Sequence, residues 1–210
     1  MFSKIEDYSK ASVLAHTIDV VEGGSKFTDD KDDNGGATRY GVTQRTAYKY
    51  PHLFKKFNWN GDMRKLPREF ALFVCEDMFW DKLMLDEVEK ICPITSGVSF
   101  DIAYNMGWKL VGSWIQEILN ANNNKQRLYK DIAVDGYVGA KTIDTLKAFY
   151  DARGMDGIAN LTYALTGFQT RRYYDIVKNN EKQEKWLYGW SDRAGNSLES
   201  YVPLFLKLKA

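Results

Sequence analysis

The residues with most chemical potential lie between positions 22 and 38. Glu22 is followed within a short polar stretch by Asp29, Asp30, Asp32 and Asp33, and then by Thr38. Paired carboxyl groups are the means by which a glycosidic bond is cut: one, held protonated, gives its proton to the leaving oxygen. The other, ionised, activates water, attacks, or stabilises positive charge. The first needs a raised pKa. Glu22 is suited to this if it lies where a helix ends, because the C-terminal partial negative charge and a partly apolar face both disfavour its carboxylate. Spacing alone does not choose the second group among the four aspartates. The bland alternatives are an exposed helix-end glutamate and a solvated acidic loop. Asp30-x-Asp32-x-Asn34-Gly35 also fits the first half of a calcium loop, but the twelfth position, which needs a bidentate Glu, is Gly41.

The elements that would position these groups are legible around them. Ala11, Leu14, Ala15 and Ile18 recur at helical spacing, so the pattern predicts a helix over about 8–21 that reaches Glu22 one turn later and stops at Gly23-Gly24. Residues 25–36 read as a loop. Thr38 to Thr43 alternates and predicts a short strand in a small hairpin or sheet. From there the chain reads as helical, with breaks at Pro51, Gly61, Pro67 and Pro93. Ile94 to Asn120 is the strongest helical stretch, interrupted at Gly107. Thr142–Tyr150, Ile158–Val177 and Ser197–Lys207 are further expected helices.

Composition narrows the class. The 210 residues are 44% hydrophobic and 27% charged with a net charge of +1, a globular mix without the basic surplus typical of nucleic-acid binders. Cys75 and Cys92 are the only cysteines and read as reduced, buried hydrophobes. His16 and His52 are isolated, so no zinc-ligand spacing exists, and neither a metal nor another cofactor is expected. The first residues lack an apolar signal core, and no stretch reaches the roughly 18 apolar residues of a membrane span. The expectation is a soluble chain made in the cytoplasm, without stable membrane insertion.

The local sequence resembles a known family. Val21-Glu22-Gly23-Gly24, then Asp33-Asn34-Gly35-Gly36-Ala37-Thr38-Arg39-Tyr40-Gly41-Val42-Thr43, resembles the phage and prophage muramidases of glycoside hydrolase family 108. Asn34 stands where that family usually has Pro, and Val42 where it has Ile. Phe79-Trp80-Asp81, Phe100-Asp101 with Asn105-Met106-Gly107, and Val134-Asp135-Gly136-Tyr137-Val138-Gly139 with Thr142 continue the likeness. So does Gly189-Trp190 with Arg193, where Asp192 replaces a common Asn. The later segments are similar to the family's peptidoglycan-binding region.

The resemblance implies Glu22 as the catalytic acid, with Asp33 and Thr38 positioning water. That order across a helix end and a hairpin is similar to the lysozymes of T-even phages. It also implies a mainly α (α+β), lysozyme-like fold with a small sheet near the active site. A catalytic part, 1–95, would pack closely on a helical part, 96–210, with the cleft between them. The implied reaction is hydrolysis of the bond between N-acetylmuramic acid and N-acetylglucosamine in bacterial peptidoglycan, for host lysis. The enzyme would be a monomer, held in the host cytoplasm until a separate holin-type pore releases it to the wall. A lytic transglycosylase and a non-catalytic wall-binding protein are the rival readings.

Six further residues are candidates for substrate binding. Arg39 and Tyr40 flank the active loop. Asp101 and Asn105 share a helix face and could line a sugar cleft or bridge within the fold. Trp190 and Arg193 belong to an aromatic cluster with Trp186 and Tyr188, whose rings could stack on sugars, although burial tendencies favour packing between the last helices.

Overall fold

The computed structural model describes residues 9–21, 24–29 and 36–209. Glu22, Asp30, Asp32 and Asp33 lie outside the described residues. The chain divides into two compact units, Ile5–Met78 and one built from Phe79–Ala210.

In the first unit, Ser9 caps helix α1 (Lys10–His16) by accepting from Ser12 N. The helix then widens into a π-turn, Thr17–Val21. Val13 O accepts both the backbone N–H of Thr17 and its hydroxyl, the latter at 3.0 Å, and this competition loosens the regular ladder. The buried stripe is Val13, Leu14, Thr17 and Ile18, whereas Ala11 is exposed, so the face is turned from the one its alanines suggest. Gly24 N donates to Ile18 O at 3.2 Å with Gly24 at φ +63°, the left-handed conformation that ends helices.

Three two-residue strands follow: β1 (Phe27–Thr28), β2 (Thr38–Arg39) and β3 (Val42–Thr43), antiparallel in that order. The segment expected as one strand is thus a hairpin, and the expected loop contains β1. Alternation is broken at Tyr40 and Gly41, which both take positive φ (51° and 72°), as a two-residue type I′ turn requires. The register pairs Thr28 with Thr38 and Thr38 with Thr43, which puts the three threonines on one face. Phe27, Arg39 and Val42 share the other.

Thr43 caps α2 (Gln44–Ala47), and Pro51 opens α3 (Pro51–Lys56). Pro67 precedes α4 (Arg68–Cys75). The core of this unit is aromatic: Trp59 meets Phe54 and Phe70 edge-on at 4.6 and 4.9 Å.

The second unit is helical. After α5 (Leu85–Ile91), Pro93 starts α6 (Pro93–Met106), buried on nearly all sides as a central helix must be. Gly107 (φ 89°) separates it from α7 (Trp108–Ala121), which buries Val111, Trp114, Ile115, Ile118 and Leu119 as the periodicity predicts. Helix α8 (Ala140–Asn179) bends at Gly154, and α9 (Glu184–Lys209) runs back along it, bringing Trp190 to Tyr173 and Phe205 to Tyr163. The last helix begins well before the expected Ser197. Cys75 and Cys92 are both buried and form no disulfide among the described residues. The mainly α architecture with one small sheet is the lysozyme-like class expected. Among the described residues no helix is long and apolar enough to cross a membrane.

Candidate active site

The described residues on either side of the proposed acid in sequence belong to the first unit. The π-turn ends at Val21, immediately before Glu22 in sequence. One turn earlier, Asp19 receives two hydrogen bonds from Arg68 at the start of α4, Nε to Oδ1 at 2.8 Å and Nη2 to Oδ2 at 2.5 Å. The Arg68 hydrogen bond is the main reason the Asp19 carboxyl lies below its ordinary pKa, and the pairing raises that of Arg68 in turn. One guanidinium thus ties the helix end to the start of α4.

Thr38 stands at the near end of the acidic segment. Its hydroxyl donates to Gly36 O at 3.3 Å, which leaves its oxygen lone pairs as acceptors. Gly36 has φ +75°, and a Cβ there would come within 3.1 Å of Gln44 Oε1. The Ala37 carbonyl accepts from Gln44 N at 2.7 Å. The backbone at residues 36–37, which follow the aspartates in sequence, is therefore tied to the start of α2.

Arg39 lies on the opposite sheet face from Thr38. Its Nε is buried without a hydrogen-bond partner among the described residues, and its guanidinium lies 5.2 Å from the Tyr40 ring centroid. Arg64 similarly covers Phe27 at 5.5 Å. Guanidinium groups suit the carboxylates and amides of a charged polymer.

The other four expected binding residues lie in the second unit, and three of them meet. Asp101 Oδ1 accepts from Arg193 Nη2 at 3.3 Å, and Asp101 Oδ2 from Ser197 at 3.2 Å. Asn105 donates to the Asp101 backbone carbonyl at 2.7 Å. Trp190 stacks on Tyr173 at 5.3 Å, and the Tyr173 hydroxyl accepts from Gln169. Burial first of all raises the pKa of Tyr173, so the phenol stays neutral within the cluster. Trp186 and Tyr188 do not pack between helices as burial tendencies suggest: Tyr188 is 84% exposed and Trp186 52%.

Sequence reasoning missed two organising residues. Arg68 is 49 positions from Asp19, and no local pattern joins them. Gln116 lies within an apolar helix stripe, yet it ties the Asp135-Gly136-Tyr137 turn to α7. Its Oε1 accepts from Asp135 N (3.0 Å) and Gly136 N (2.8 Å), and its Nε2 donates to Asp135 Oδ1 (2.9 Å) and Tyr137 O (3.1 Å). A buried polar residue inside a hydrophobic stripe was the available signal. Among the described residues no group of three His, Cys, Asp or Glu could hold a metal.

Comparison with known proteins agrees with this chemistry. Residues 15–107 match the Glycosyl hydrolase 108 family model, and residues 112–195 match a model described as Predicted Peptidoglycan domain. The protein is a glycoside hydrolase that acts on peptidoglycan. The match over residues 15–107 is to the glycosyl hydrolase 108 family, the endolysin N-acetylmuramidase family. The Structure of Brucella abortus SagA is similar over 95% of this chain and 94% of that one, with a TM-score of 0.57 and 18% identity, a likeness of fold. No curated relative matches the chain.

Proposed function

We propose that the protein hydrolyses the β-1,4 bond between N-acetylmuramic acid and N-acetylglucosamine, with Glu22 as general acid and Asp33 and Thr38 directing the water. The observation that carries this reading is the pairing, inside the family-matched segment, of a helix ending at Val21 with a hairpin that presents Thr38. A carboxyl following a helix C-terminus feels its negative partial charge and keeps its proton longer than a free one. Glu22 donates that proton to the glycosidic oxygen as the bond to the anomeric carbon breaks. Asp33 accepts a proton from the incoming water while Thr38 Oγ1 accepts its second hydrogen bond, and the water oxygen bonds to the anomeric carbon.

Arg39 and Tyr40 are assigned direct substrate contact. Asp101, Asn105, Trp190 and Arg193 are assigned to the binding surface of the second unit, where Asp101 holds Asn105 and Arg193 and Tyr173 stacks on Trp190. Residues 1–95 carry catalysis in this reading, and 96–210 engage the wall. The biological setting is that of an endolysin. A monomer is made in the host cytoplasm and released through a separate pore to lyse the host wall. Mass spectrometry of digested peptidoglycan tests the reaction. Reducing-end muramic acid is expected. Anhydro-muramic products would show that a substrate hydroxyl, and not water, closes the reaction.

A further inference from the structure

The second unit carries an open groove of about 420 Å³ between α8 and the end of α9. Its α8 wall is Met155, Asp156, Ala159, Asn160 and Tyr163, and Phe205 and Leu206 of α9 close the other side. The α8 residues fall at i, i+1, i+4, i+5 and i+8, a single helix face. The lining sets a carboxylate and an amide among apolar side chains. Tyr163 is 49% exposed with its ring 6.4 Å from that of Phe205, and beside it stand a carboxylate and an amide. An exposed ring next to an acceptor and a donor–acceptor pair matches a pyranose, which has apolar C–H faces and an equatorial rim of hydroxyls. The volume falls in the range of small-ligand sites.

We propose that this groove is a glycan-binding site for an N-acetylated amino sugar of peptidoglycan, separate from the residues assigned to catalysis. The sugar face lies on Tyr163, its hydroxyls and acetamide meet Asp156 and Asn160, and the acetamide methyl enters the apolar floor formed by Met155, Ala159 and Phe205. Five of the seven lining residues fall inside the segment matched by the peptidoglycan-domain model, which names a target and no site. A glycan strand can continue along the same helix. Tyr174 is also exposed, and at eleven residues from Tyr163 it returns to the same face about 16 Å further on.

The proposal rests on the reading of the chain as an enzyme of peptidoglycan, and its test separates the two. Wild type, Tyr163→Ala and Leu206→Asp are pelleted with purified sacculi on ice, and each is assayed for release of reducing ends from short soluble peptidoglycan fragments. Both positions are exposed, and matched melting curves confirm folding. Tyr163→Ala is expected to lose about fivefold or more in wall affinity, the scale of one lost aromatic contact, and Leu206→Asp to lose a similar factor by setting a charge on the apolar side of the groove, while both cleave soluble fragments as wild type does. Sacculi stripped of stem peptides by an amidase should still bind. Pelleting unchanged in both variants, or binding abolished by removal of the peptides, overturns the sugar site. Failure of the wild type to release reducing ends from any substrate overturns the hydrolase reading and leaves the groove to be judged by the pelleting alone.

Discussion

Gln116→Leu is the sharpest probe of how the second unit is built. The side chain is 2% exposed and of nearly leucine size, so the substitution removes polarity while keeping volume. It withdraws the acceptor from Asp135 N and Gly136 N and the donor from Asp135 Oδ1 and Tyr137 O. Each net hydrogen bond contributes about 1 kcal/mol, and a buried N–H left without a partner costs about 1–3 kcal/mol. Together these give a loss of roughly 3–4 kcal/mol, or about 10 °C in melting temperature for a unit of this size. Gln116→Glu is the matched control. It keeps the acceptor oxygen but sets a second carboxylate beside that of Asp135, so its deficit at pH 7 should shrink once the introduced carboxylate takes up a proton in mild acid. The Asp135 carboxyl lies below its ordinary pKa, chiefly through the Gln116 hydrogen bond. Its own contribution is therefore complete above about pH 4 and disappears only as pH falls through the lowered value. Thermal unfolding followed by far-UV circular dichroism reads both variants. A leucine variant melting within about 2 °C of wild type would refute the reasoning.

Other substitutions test other links. Gly112→Ala should gain about 1 kcal/mol of helix propensity, yet its Cβ would lie 2.3 Å from the Gly136 carbonyl oxygen. A backbone atom cannot swing aside, so urea unfolding should report a net loss of about 1–3 kcal/mol. Arg68→Ala breaks a half-exposed pair, and its stability cost should stay below about 1 kcal/mol. Wall-lysis rate should nevertheless fall several-fold, because the helix end that precedes Glu22 loses its tie to α4; unchanged lysis would count against that role. Burial, and then the hydrogen bond to Asp77, push the Tyr50 phenol far above its ordinary pKa of 10.0. The unfolded chain ionises there first, so wild-type stability should decline as pH rises above about 10, and urea midpoints of Tyr50→Phe should decline less.

The punctuation of this fold was legible because its signals are local. Pro51 and Pro93 each sit at the first position of a helix, and Gly107 marks a helix boundary through its positive φ. The amphipathic period of α7 survives in its buried residues. What sequence pattern misread depends on backbone geometry or on distant partners. Tyr40 holds a left-handed conformation that a tyrosine seldom adopts, so alternation through Thr43 looked like one strand. The first turns of α9, rich in aromatics and glycine, have weak helix propensity and become helical by packing along α8. For the candidate site, the described motif residues Val21 and 38–43 lie on the π-turn and the hairpin, whereas the Asp19–Arg68 bridge and the Gln116 clamp join positions that no period connects.

The central claim is that one carboxyl group supplies the proton. Glu22→Gln replaces it with a group of the same shape that cannot, and the assay is turbidity loss of purified cell walls beside co-sedimentation with them. The account predicts lysis reduced by at least about a hundredfold, the usual scale of a lost general acid, with sedimentation unchanged. A glutamine variant that still clears walls at a rate near wild type would contradict it.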